Sequence, residues 1–130
     1  MIQVLYPEGI KNTCCGMMFN SRGLKDVAGV KAAELEQAIL KASENGKYPV
    51  VCDTSPCLST MKQSFTSPEL KFSLYEPLEF VDKFLLDKLE FEKTQKNIAI
   101  HIPCSSKKMG KLKLRKFCVG ARKQKTNSIA

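Results

Sequence analysis

The chain has 130 residues, 43% of them hydrophobic, and no apolar run approaches the ~18 residues of a bilayer crossing, so one domain is expected and a membrane span is excluded. The net charge of +8 would suggest a nucleic-acid partner, but residues 1–106 carry 12 Lys and Arg against 13 Asp and Glu. The other 9 basic residues all follow Ser106, so the excess belongs to the last 24 residues; the tail 111–130 is read as basic, solvated and poorly ordered, and no nucleic-acid partner is expected.

In chain order, Ile2 to Tyr6 is a short apolar run closed by Pro7 and Gly9, which predicts a buried strand followed by a loop. Apolar residues then recur at spacings of three and four at Leu24, Val27, Ala28, Leu35, Ala38, Ile39 and Ala42. That spacing predicts an amphipathic helix stopped by Asn45-Gly46. Tyr48 to Cys52 predicts a second strand, and Pro56 suits the first turn of a short helix over Cys57 to Gln63. Lys71 to Tyr75 predicts a third strand. Pro77 opens a helix to about Phe91, with Leu78, Val81, Leu85 and Leu89 on one side and Phe80 and Phe84 widening it. Asn97 to Ile102 predicts a fourth strand. Strands alternating with helices predict an α/β fold of three layers: a mainly parallel four-stranded sheet flanked by helices, Rossmann-like, over residues 1–110.

Six cysteines stand at positions 14, 15, 52, 57, 104 and 118. The N-terminal residues lack the basic leader and small-residue cleavage site of a secretory signal, so a cytoplasmic setting with reduced thiols is expected. At that frequency cysteine points to metal, cluster or redox chemistry before structural bridges. The predicted topology sets Cys14, Cys15, Cys52, Cys57 and Cys104 just beyond the carboxyl ends of strands, where open α/β sheets bind ligands, along with Glu76. A helix starting near Cys57 would favour its thiolate, and Gly16 would let the backbone approach a ligand closely. The blander reading makes the cysteines small buried hydrophobes, and that reading is preferred for Cys118. His101 reads as a core residue or a ligand, and Asp53, Thr54 and Ser55 as a helix-capping turn. With one histidine, acyl-transfer and zinc-hydrolase chemistry have little material.

The segments NTCCGMMFNSRG, VVCDTSPC and HIPCSSKKMG resemble the cysteine-rich CCG domain of iron–sulfur oxidoreductases. That domain occurs in heterodisulfide reductase, in the iron–sulfur component of glycolate oxidase and in bacterial flavin and iron–sulfur D-lactate dehydrogenases. The resemblance implies a 4Fe–4S cluster and electron relay from FAD held in an absent flavin domain or partner protein. Residue by residue, Cys14, Cys15 and Gly16 match the Cys-Cys-Gly element, Cys57 matches the closing cysteine, and Cys52 and Cys104 are additional candidate ligands. No leading cysteine precedes Cys14, the closing pair is Cys52-x4-Cys57 instead of the family's tighter pair, and no second Cys-Cys-Gly follows Cys104. The chain therefore resembles a fragment, expected to serve electron transfer in a D-lactate or 2-hydroxy-acid dehydrogenase and not to be catalytically competent alone. Peripheral membrane association of the whole protein stays open, as do two rivals: a thiol-redox or zinc-binding domain, and a truncated remnant acting only as a scaffold.

Overall fold

The computed structural model describes residues 3–89, 101 and 103–110. Contacts divide the chain into two units, Met1–Pro77 and Leu78–Ala130.

In the first unit, residues 3–6 enter no sheet, and a 3-10 turn spans Ile10–Asn12. Helix α1 is Met17–Ser21 and helix α2 is Lys25–Ala42. The buried positions of α2 are Ala28, Ala32, Leu35, Glu36 and Ile39, a stripe spaced by three and four that turns one face of the helix inward. Leu24 and Val27, which share the apolar periodicity, lie at the margin and are exposed. The helix ends as Glu44, Asn45 and Gly46 adopt successive positive φ values. Gly46 is required there, because a Cβ would sit 3.1 Å from the Glu69 backbone.

Strand β1, Val50–Val51, leads through helix α3, Ser55–Ser64, and helix α4, Pro68–Ser73, to strand β2, Leu74–Tyr75. The strands are parallel, with Val50 opposite Leu74 and Val51 opposite Tyr75. Leu58 on α3, Phe65 at its C-cap, Leu70 on α4 and Leu74 on β2 are each at most 1% exposed. Each such side chain contributes about 1.5–3 kcal/mol by leaving water. They make the crossover the best-buried part of the unit, with α2 packed on α3.

The four-stranded Rossmann-like sheet is thus corrected: the described residues are mostly helical and hold one two-stranded parallel sheet. Two of the errors have physical causes. The residues from Val4 to Tyr6 have strand-forming side chains, but strand propensity reports a fit to a half-buried sheet surface, and here they are 60–80% exposed. The predicted strand over 71–75 is helix as far as Ser73, because Ser67 stands at the N-cap, Pro68 in the first turn and Glu69 beside it. The expected fourth strand lies outside the described residues except at His101, which is in no regular element and is exposed, not packed in a core. The tail 111–130 and Cys118 also lie outside the described residues.

The second unit opens within helix α5, Pro77–Phe84, where Phe80 and Phe84 stack with ring centroids 5.2 Å apart. A 3-10 turn, Leu86–Lys88, follows, and helix α6 is Cys104–Lys108. Among the described residues no helix is long and apolar enough to cross a membrane.

Candidate thiol site

Cys14, Cys15, Cys52 and Cys57 all belong to the first unit, and two different local devices bring them together. The first is the start of α1. Gly16 is its N-cap, at φ +83°, and a Cβ there would press into the Ala28 carbonyl oxygen and lie 3.1 Å from the carbonyl carbon. Only glycine lets the Cys14–Gly16 segment rest on the α2 backbone. Cys15 is thereby buried at 6% exposure, while the Cys14 Sγ accepts the Gly16 N–H at 3.4 Å. The sequence reading gave Gly16 to a ligand; the backbone it approaches is that of Ala28.

The second device is the turn from β1 into α3. The Cys52 N–H donates to the Tyr75 carbonyl at 3.0 Å, extending the ladder by one bond, and its thiol donates to the Thr54 carbonyl at 3.5 Å. Thr54 holds the N-cap position, but its hydroxyl donates to Asp53 Oδ1 at 3.2 Å instead of capping the helix. Pro56 fits the first turn of α3 because its missing N–H has no helical partner there. Cys57 follows in the same turn. Helix α1 packs on both α2 and α3, and Cys15, Cys52 and Cys14 all lie in the electrostatic neighbourhood of Cys57.

Burial sets the protonation of this group. It pushes the Cys57 thiol up to about 12, helped by the neighbouring Cys15 thiol and by the negative charge that Cys15, Cys52 and Cys14 would carry if ionised. Burial likewise raises Cys52, and the Thr54 backbone offsets only part of that rise. The expectation that the α3 N-terminus would favour the Cys57 thiolate is therefore corrected. Desolvation comes first among the causes and the neighbouring thiols follow, so the thiol holds its proton at neutral pH.

Among the described residues no group of three or more His, Cys, Asp or Glu is arranged to hold a metal ion. The four thiols have the soft, sulfur-only chemistry of zinc and iron–sulfur sites, and of them Cys14 and Cys52 hydrogen-bond to backbone. Cys104 is exposed and opens α6 in the second unit. Glu76 follows β2 and is buried at 6% exposure.

Sequence reasoning missed Glu36. Its carboxylate lies on the buried stripe of α2, where Oε1 accepts the backbone N–H groups of Thr66 and Ser67 at 2.7 Å each. Burial acts to raise its pKa, but those N–H groups and the two hydroxyls outweigh it and hold the carboxyl below its ordinary range. The clamp ties α2 to the α3–α4 connection. An acid between Leu35 and Ile39 on an otherwise apolar face was the available signal. No protein-family model, curated protein or solved structure matches the chain.

Proposed function

We propose that this chain supplies thiolate ligands to an iron–sulfur centre and serves electron transfer for a flavin-linked D-lactate or 2-hydroxy-acid dehydrogenase. What supports the reading is the placement of Cys14 and Cys15 just before α1 and of Cys52 and Cys57 at the opening of α3, two helices that pack on each other, with Cys14, Cys15 and Cys52 in the electrostatic neighbourhood of Cys57. Packing alone accounts poorly for it, since a buried thiol fills space without needing three others beside it. Cys14, Cys15 and Cys57 would hold the cluster, with Cys52 as the nearest additional donor. A bound 4Fe–4S cluster would supply one-electron storage, its potential set by burial and by hydrogen bonds to sulfur.

The chain's own part is to bury Cys15, to orient Cys14 through the Gly16 N–H, and to hold Cys57 in a turn whose geometry Pro56 restricts. Loading requires the thiols to give up their protons. The high Cys57 pKa argues against disulfide exchange led by that residue, because the thiolate is the nucleophile. Anaerobic reconstitution with iron and sulfide tests the proposal: a broad visible charge-transfer absorption, lost in Cys57→Ser, is expected. A colourless chain that takes up Zn²⁺ would place the thiols in a zinc site, and a colourless chain that takes up neither would end the proposal.

A further inference from the structure

Helix α2 stops in a turn whose hydrogen bonds converge on one hydroxyl. Ser43 is 3% exposed. Its Oγ accepts the Gly46 backbone N–H at 3.0 Å and donates to the Leu40 carbonyl at 3.5 Å. Glu44 and Asn45 stand at φ +49° and +59°, and the Asn45 N–H donates to the Leu40 carbonyl at 2.9 Å. The Asn45 side chain itself is exposed. An asparagine followed by glycine is open to attack on its side-chain amide by the next backbone nitrogen, because glycine has no Cβ to hinder the approach. Here the proton on that nitrogen is held by Ser43.

We propose that Asn45 is a deamidation site held in check by the Ser43 hydroxyl, and that its isoaspartyl product cannot rebuild the turn. In the reaction the Gly46 nitrogen gives its proton to water or hydroxide and attacks the Asn45 side-chain carbonyl carbon. The bond to the amide nitrogen breaks, ammonia leaves, and a succinimide ring closes. Water then opens the ring at either carbonyl, leaving aspartate or isoaspartate. One water is consumed, one ammonia is released, and nothing is oxidised or reduced. The attacking nitrogen must first leave Ser43, so the rate follows local opening of the turn. Aspartate keeps the main chain as it was. Isoaspartate routes the main chain through the former side chain and lengthens it by one carbon just before Gly46, where the Glu69 backbone leaves no room even for a Cβ. The isoaspartyl chain therefore loses both the stop of α2 and the seat of Gly46 on α4.

The test ages the full chain, folded in buffer and unfolded in urea, and digests timed samples with trypsin. The peptide 42–47 carries Asn45 and no other asparagine, and chromatography with mass spectrometry separates its asparagine, aspartate and isoaspartate forms. Asn45 is expected to convert at least about tenfold more slowly in the folded chain than in urea. Ser43→Ala should speed the folded rate roughly two- to tenfold, the worth of one ordinary hydrogen bond, and leave the urea rate unchanged. Ser43→Thr, which keeps a hydroxyl, should restore the protection. After refolding, chain carrying isoaspartate should melt at a lower temperature than the Asn45→Asp variant, whose main chain is normal. Equal rates in buffer and in urea overturn the proposal, as does a Ser43→Ala chain that is folded by circular dichroism yet deamidates no faster than the unsubstituted one. If Ser43→Ala does not fold, the ratio of buffer to urea rates in the unsubstituted chain decides. An isoaspartyl chain that melts together with Asn45→Asp overturns the claim that the turn cannot be rebuilt.

Discussion

Gly16→Ala and Gly23→Ala together isolate what the close approach of α1 to α2 contributes. Both glycines have nearly the same positive φ, +83° and +81°, and flank the same short helix. A Cβ at Gly23 meets nothing within 4 Å, whereas at Gly16 it meets the Ala28 carbonyl group. Each alanine suffers the left-handed backbone penalty of about 1–2 kcal/mol. Only Gly16→Ala adds overpacking against backbone that has no rotamer to yield, about 1–3 kcal/mol more. For a unit of this size that difference corresponds to roughly 4–20 °C of additional loss in Tm. Urea and thermal melts of the two variants measure it. The same experiment reads out the site: Cys15, at 6% exposure, should alkylate faster in Gly16→Ala and not in Gly23→Ala. Equal destabilisation, with Cys15 equally protected, would refute the argument that this glycine is there to seat the cysteine pair on α2.

Three further outcomes are expected. Glu36→Ala should cost about 1.5–3 kcal/mol by urea denaturation, since it removes the charged partner of two part-buried N–H donors. Because the folded carboxyl titrates below its ordinary 4.5, the stability that ionisation brings is fully present above that value and is lost as pH falls through the lower folded pKa; Glu36→Gln should flatten that acid limb. Cys57, with its thiol near 12, should react with iodoacetamide at least about tenfold more slowly at pH 8 than exposed Cys104, followed by peptide mapping. Zn²⁺ or Cd²⁺ used as a probe should bind more tightly as pH rises from 6 to 8, by up to about tenfold per pH unit for each thiol proton released; competition against a chromophoric chelator reads this directly, and a flat profile would count against thiolate ligation.

The helical parts of the first unit were legible where a local signal agreed with burial. The three-and-four spacing through Ala28, Leu35 and Ile39 marked α2, Asn45-Gly46 marked its stop, and Pro56 and Pro77 marked the openings of α3 and α5. The sheet was legible only in part. Val50 and Val51 find a partner in Leu74 and Tyr75, while equally strand-like residues at 4–6 do not, because pairing depends on a distant neighbour that no local pattern names. Helix α4 was hidden within the strand expected over Lys71 to Tyr75, although Ser67, Pro68 and Glu69 stand at its opening. For the site, Cys52 and Cys57 do follow a strand and open the helix after it. Cys14 and Cys15 reach them by another route, the glycine-seated start of α1. That route depends on Gly16 fitting against Ala28, a tertiary contact for which the run Cys-Cys-Gly offers a residue type but no direction.

The central claim is that Cys14, Cys15, Cys52 and Cys57 act together on one inorganic guest. It is tested most directly by counting iron and acid-labile sulfide in the chain after anaerobic reconstitution and desalting. The account expects about four of each per chain, with loss of most of both in Cys15→Ser and Cys57→Ser variants that remain folded by circular dichroism. Retention of iron and sulfide in those variants, or their absence from the unsubstituted chain, would contradict it.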